Sequence, residues 1–265
     1  AQPQSGRLGL HGLGQDLVAP DAPVFLRRVR FLRPRPSSPP SARQRLVLVC
    51  RPSAYGACSP AGAYVEPRSH TLLFHRRSAV LAVGVARSAE GQPMRVQGHV
   101  WSLDDGGASG DGTVTHRAPL EGRLLVEAGG DVVVLAAFAD TPARALALIE
   151  RSSRAPFPAF ARKRRSHDGR RLARARRPSP RLSGVGKLYA RSLLTLDLLT
   201  DRATGATIAA PELDPGFTRS GGYGFVWPRD LAYVVLGLLA AGRGDMAASA
   251  LRWLARHQAP EGLWL

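Results

Sequence analysis

The 265-residue sequence predicts a chain built in two styles, an antiparallel β-sandwich followed by the first helices of a toroid of paired helices. Three observations predict it. Short runs rich in Val and Leu, divided by Gly, Pro, Ser and Asp, fill residues 1–150, the pattern of a sandwich with tight turns. From Thr141 the apolar spacing becomes helical. After Gly186 an amphipathic run, a wholly apolar run and a second amphipathic run follow one another, as exposed, enclosed and exposed helices would.

The strands come first. They are read at Gln44–Pro52 (QRLVLVCRP), Ala63–Arg77, Ala79–Ser88, Met94–Leu103 and Gly122–Ala139. TPARALALIERSS, from Thr141, is the first helix. Residues 161–181 (ARKRRSHDGRRLARARRPSPR) carry ten basic residues against one acid, Asp168, and read as a solvated linker helix ended by Pro178 and Pro180. LYARSLLTLDLLTD places Tyr189, Leu193, Leu196 and Leu199 on one face. LAYVVLGLLAAG, apolar all round, predicts a helix packed on every side. DMAASALRWLARHQ follows an Asp245 cap and is expected to bury Met246, Leu251 and Leu254. The expected divisions are a sandwich over 1–150, a basic helical linker over 151–185 and a helical domain over 186–265.

Composition narrows the functions. The formal charge is +17, from 37 Lys and Arg against 20 Asp and Glu, which invites a nucleic-acid reading. Only Lys163 and Lys187 are lysines, however, and so strong a skew towards arginine reflects coding bias as well as function. A nucleic-acid partner is therefore not expected. No apolar run spans a membrane, and the start, AQPQSGRLGLHG, lacks the layout of a signal peptide, so the expected compartment is the cytoplasm and no membrane partner is foreseen. Cys50 and Cys58 match no metal or redox spacing and read as two reduced thiols.

The densest chemistry lies in GGYGFVWPRD, Gly221 to Asp230, at the mouth of the apolar run. Trp227 offers a flat apolar face suited to the C–H side of a sugar ring. Arg229 supplies a planar fork of donors and Asp230, when ionised, only acceptors, so that together they meet the two needs of neighbouring hydroxyls. Tyr223 adds a second aromatic, and Gly221, Gly222 and Gly224 let the loop bend. The same residues also read as a helix cap, an ion pair and core aromatics.

Three ordered phrases, TGATIAAPELDP, GGYGFVWPRD and ALRWLARHQAPEGLW, resemble recurring segments of glycoside hydrolase family 15, the family of glucoamylases, glucodextranases and certain bacterial trehalases. GAYVEPRSHTLLFHRRSAVLAVGV and GHVWSLDDGG are similar to parts of the β-sandwich that bacterial members carry ahead of it. The resemblance implies an (α/α)6 barrel behind the sandwich and the linker. It implies that Trp227, Arg229 and Asp230 lie on the pocket floor, where the Arg–Asp pair holds O4 and O6 of a terminal glucose, and that Tyr223 lies near the sugar ring. The implied partner is an α-glucan or α-glucoside oligosaccharide with a non-reducing terminal glucose, and no metal or cofactor is implied.

Family members hydrolyse with inversion, using two carboxyl groups on opposite faces of the sugar. In the family both are glutamates from the later part of the barrel, so no catalytic residue is assigned up to Leu265, and the chain alone is expected to be inactive, the front of a longer barrel. Glu212 and Asp214, and Asp104 and Asp105, are paired only in sequence and receive no role. The alternatives are a trehalase- or dextran-directed member of the family, a non-catalytic carbohydrate-binding remnant, and a nucleic-acid binder acting through the arginine-rich linker.

Overall fold

The computed structural model describes residues 11–32, 44–52, 61–86, 94–102, 113–114, 120–128, 130–178, 184–211 and 223–264. The chain divides into two compact units, one of residues 1–54 and 58–164 and one of residues 55–57 and 165–265.

The first unit is two antiparallel sheets. The strands are β1 (His11–Val18), β2 (Val24–Leu32), β3 (Gln44–Cys50), β4 (Gly62–Val65), β5 (Leu72–Arg76), β6 (Ala79–Val85), β7 (Arg95–Ser102), β8 (Thr113–Val114), β9 (Leu120–Ala128) and β10 (Val132–Ala139). Seven form one sheet in the order β1-β2-β10-β6-β5-β4-β8, and three form the other in the order β3-β9-β7. Strand β10 shows why its sequence is an unbroken apolar run. Val132 and Val134 face the core between the sheets with Leu72, Phe74 and Leu124, whereas Leu135 and Ala137 face the opposite way, towards Ala145 and Ile149 of a covering helix. Both faces of this central strand are therefore dry. The helix is α1 (Pro142–Ser153), begun by Thr141, whose hydroxyl accepts from the Arg144 N–H, and by Pro142 in its first turn.

Helix α2 (Phe157–Leu172) follows, and the division between the units falls within it. It stops at Leu172, short of Pro178, because the next N–H groups tighten into three-residue bonds, Arg174 to Arg171 O and Ala175 to Leu172 O. The expectation that the prolines end the helix is thus corrected. The second unit continues with α3 (Gly186–Leu199), α4 (Pro228–Ala240) and α5 (Gly244–Arg256). Leu231, Val235 and Leu238 of α4 close on Ala247 and Ala250 of α5, with Leu196 of α3 packed against them. The two-residue spacing between α4 and its C-terminal Gly242 in the left-handed region, φ +73°, lets the Arg243 N–H reach Leu238 O.

The architecture is therefore an N-terminal antiparallel β domain followed by paired helices of the (α/α) kind. Three local expectations change. Helix α4 is not enclosed, since Tyr233 is 73% exposed and Leu236 and Leu239 stand out beside it. Helix α5 buries Ala247 and Ala250 while Leu251 is exposed, because the small residues allow α4 to approach closely. Its N-cap is Arg243, not Asp245, which lies in the first turn and accepts from Arg243 Nε at 3.3 Å. Strands β1 and β2 were not read in the sequence.

Two carboxylates hold the units together internally. Glu121, on the outward side of β9, is completely covered by the arginines that donate to it, Arg51 and Arg123. Arg123 in turn lies 4.4 Å over the Trp101 ring. Burial opposes ionisation of Glu121, but the hydrogen bonds from Arg51 and Arg123 outweigh it and hold the carboxyl below its usual range. In the second unit Asp197, buried on α3, accepts from Arg171 of α2 and, at 3.5 Å, from Arg202. Cys50 is a free thiol that burial pushes up to about 11; Cys58 lies outside the described residues.

A depressed carboxyl pKa adds stability that is present above the unfolded value and lost as pH falls through the folded one. Replacing Glu121 with Gln should cost about 1–3 kcal/mol at neutral pH, because one guanidinium group then faces an amide NH2 in place of its acceptor and the other keeps only a neutral oxygen. In melts recorded at a series of pH values, the gap between wild type and Glu121→Gln should be full above about pH 4.5, the ordinary glutamate value, and shrink below it. A gap independent of pH would contradict the assignment.

Candidate functional site

The stretch singled out in the sequence, from Tyr223 to Asp230, is positioned by a loop that precedes it. After α3 the chain makes a tight Asp201–Thr207 turn. Asp201 accepts from the Ala203 N–H at 3.0 Å and from the Thr204 hydroxyl at 2.7 Å, and these bonds hold its carboxyl below the usual range. Gly205 sits at φ +88°, and a Cβ there would lie 2.5 Å from Ser249 O of α5. Only glycine satisfies both the backbone sign and that approach. Thr207 is buried, and its hydroxyl meets that of Thr200 at 2.9 Å.

The residues that follow the turn fix the stretch through two backbone bonds. The Ala209 N–H donates to Phe225 O at 3.0 Å and the Ala210 N–H to Tyr223 O at 2.8 Å, so residues 223–225 run beside 209–210. Val226 then packs on the α4–α5 core, and Trp227 takes an extended conformation as the N-cap of α4, with Pro228 in the first turn. Proline belongs there because it lacks the N–H that would otherwise be left over.

Three of the expected residues meet. Arg229 Nη2 donates to Asp230 Oδ2 at 3.0 Å, and the guanidinium carbon lies 5.8 Å from the centre of the Trp227 ring. Asp230 stands in the first turn of α4, where the helix dipole favours a negative charge. Trp227, Tyr223 and Arg229 are all accessible, and the carboxyl of Asp230 is about one-third exposed, at 34%. Tyr223 is fixed separately, its carbonyl accepting from the Ala210 N–H. Helical spacing explains the outward aim of Arg229: with Leu231, Val235 and Leu238 buried on α5, position 229 falls on the opposite side. Tyr233 is four residues on, on the same side.

The sequence reading passed over Phe225, which is 57% exposed between Tyr223 and Trp227. The alternation of aromatics at 223, 225 and 227 was its signal. Gly221, Gly222, Glu212, Asp214, Asp104 and Asp105 lie outside the described residues. Among the described residues no group of His, Cys, Asp and Glu could hold a metal ion, and no helix is long and apolar enough to cross a membrane.

Comparison with known proteins bears on this segment directly. Residues 185–261 match the model of glycosyl hydrolases family 15. The match takes in α3, the pinned loop, the Trp-Pro-Arg-Asp corner and α5, and it gives the C-terminal segment a family-level resemblance. The fold as a whole is similar to that of a bacterial glucoamylase solved in complex with acarbose, with a TM-score of 0.66 and 16% identity. That alignment covers 95% of this chain and 39% of the glucoamylase, so the chain spans about two-fifths of its length. At such identity the likeness is one of fold. No curated protein sequence matches the chain.

The loop geometry can be tested without any ligand. Gly205→Ala should destabilise the protein by about 2 kcal/mol or more, because it adds both a positive-φ penalty and a clash with backbone that cannot swing away. Chemical denaturation monitored by tryptophan fluorescence would measure it. A change within experimental error would mean that the turn does not pack on α5 as described.

Proposed function

We propose that this chain supplies the terminal-glucose-binding part of an inverting, exo-acting α-glucoside hydrolase of glucoamylase type. The observation that carries the reading is the Trp227–Arg229–Asp230 corner, held at the start of α4 within the segment that matches family 15. Its chemistry suits a sugar. The guanidinium donates and the carboxylate accepts, so two adjacent hydroxyls can each exchange hydrogen bonds with a fixed charged partner. The aromatic rings of Trp227 and Tyr223 offer faces for the C–H surface that remains. In the proposal, Arg229 and Asp230 hold O4 and O6 of the non-reducing glucose, which selects chain ends, and Tyr223 lies beside the ring.

The reaction in this reading needs one carboxylic acid to protonate the leaving oxygen and one carboxylate to activate water across the ring. Neither role falls to the four residues named, whose part is to hold the terminal sugar in place. The reading takes a linear α-glucan or a short α-glucoside oligosaccharide as the ligand, ahead of trehalose or dextran, and involves no metal or cofactor.

Titration calorimetry with maltose and maltotriose tests the binding part. Binding should weaken about tenfold or more in Asp230→Ala and in Arg229→Ala, the scale expected when a charge-assisted hydrogen bond is removed. Phe138→Ala, an exposed aromatic in the other unit, should leave it unchanged. Equal binding in all three variants would remove the corner from the sugar site, and wild-type protein that binds neither sugar would remove the reading.

A further inference from the structure

The arginine-rich helix α2 has no part in the sugar reading, and its sidedness carries an inference that stands independently of it. Burial divides α2 lengthwise. Phe157, Phe160, Arg164, Asp168 and Arg171 lie on the side that is buried or half-buried. Arg162, Lys163, Arg165, Ser166, Gly169 and Arg170 are exposed, and at 100° per residue they fill one continuous arc of about half the circumference.

The charges are sorted by the same division. The one carboxylate of the helix, Asp168, stands on the inner side beside His167 at 3.3 Å, and Arg171 on that side is matched by Asp197. The outer arc holds four cations and no anion over about 12 Å of helix. Lys163 reaches Asp21 at 2.6 Å, and Arg170 touches the Ser166 hydroxyl at 2.7 Å. Arg162 and Arg165, one turn apart, have no ion pair among the described residues. Like charges at that spacing repel and weaken an isolated helix. An anionic partner would relieve that repulsion.

We infer that the outer face of α2 binds the phosphate backbone of a nucleic acid. Composition alone reads the segment as a solvated linker, and the new observation is that folding turns the helix's own acid away from this face, where Asp21 matches Lys163 and leaves Arg162, Arg165 and Arg170 without an ion pair among the described residues. Phosphate charges recur about every 3.4 Å along one strand, so a row of cations meets several at once. The guanidinium fork matches phosphate oxygens bidentately. The outer arc carries no large apolar side chain to enter an acyl layer, which disfavours a lipid surface. It carries no aromatic to stack on bases, so the binding follows the backbone and has little sequence preference.

Fluorescence anisotropy of the full chain with a labelled single-stranded oligonucleotide, at salt from about 50 mM upwards, tests this. The triple variant Arg162→Gln/Arg165→Gln/Arg170→Gln should bind more weakly, and its plot of log K against log salt should be shallower by about 2 units, at roughly 0.7 for each phosphate no longer neutralised. Replacing the same three with Lys should restore most of the affinity. A control with Arg191, Arg252 and Arg256 changed to Gln removes the same charge elsewhere and should bind nearly as wild type does. Glutamine is almost as good a helix former as arginine, and circular dichroism confirms that each variant is folded. Three results would overturn the inference: no binding at low salt, equal weakening in the control triple, or binding to phosphatidylserine vesicles with none to the oligonucleotide.

Discussion

The packing of α4 on α5 is the constraint on which the candidate site depends. Leu231, Val235 and Leu238 recur every three or four residues and close on Ala247 and Ala250. That seam fixes the rotation of α4 about its axis, and the rotation alone decides that Arg229 points outward with Asp230 at the edge of the seam. The small alanines matter as much as the leucines, since a close approach of α5 brings Ser249 to the backbone of Gly205. One chain of interactions therefore runs from the helix seam to the Asp201–Thr207 turn, then to the backbone bonds at Ala209 and Ala210, and back to Trp227. The polar corner is held from both sides by apolar packing and backbone hydrogen bonds, not by ion pairs of its own.

The β unit uses charge differently. Glu121 occupies an outward position of β9 and should be wet, yet Arg51 and Arg123 cover it completely while remaining substantially exposed themselves. The carboxylate is thus buried by its own counter-ions, whose aliphatic stems shield it while their heads stay hydrated. Asp197 plays a comparable part between α2 and α3, with Arg171 and Arg202 around it. In a chain with so large an excess of arginine, these two acids are among the places where the excess is turned to structural use.

What the sequence disclosed follows from how each feature is encoded. The interior strands β5, β6 and β10 were legible because both their faces are buried and the apolar run is continuous, and β9 because Leu124, Val126 and Ala128 alternate towards the core while Arg123 and Glu127 lie on the other face. Strands β1 and β2 were not, because HGLGQDLV and VFLRRVRFL mix glycines and arginines into positions where pairing with a neighbour, such as Asp16 with Arg27, makes the strand. The Trp-Pro-Arg-Asp corner was legible as a motif, and its grouping at the N-terminus of α4 follows from proline's place in a first helical turn. The exposed face of α4 was not, since an all-apolar run does not reveal which of its sides a neighbour covers. The Asp245 cap misled because an acid in the first turn looks like a cap from sequence, whereas here it serves as the acceptor for the buried Arg243.

The central claim is that the corner at the start of α4 touches sugar directly. Its most direct test is a proton–nitrogen NMR titration of the labelled chain with maltose. The account predicts that the largest shifts fall on the Trp227 indole N–H, the Arg229 side chain and the backbone of residues 223–230, with the β-sheet signals still. Shifts concentrated in the β unit, or none at the Trp227 indole at saturating maltose, would contradict it.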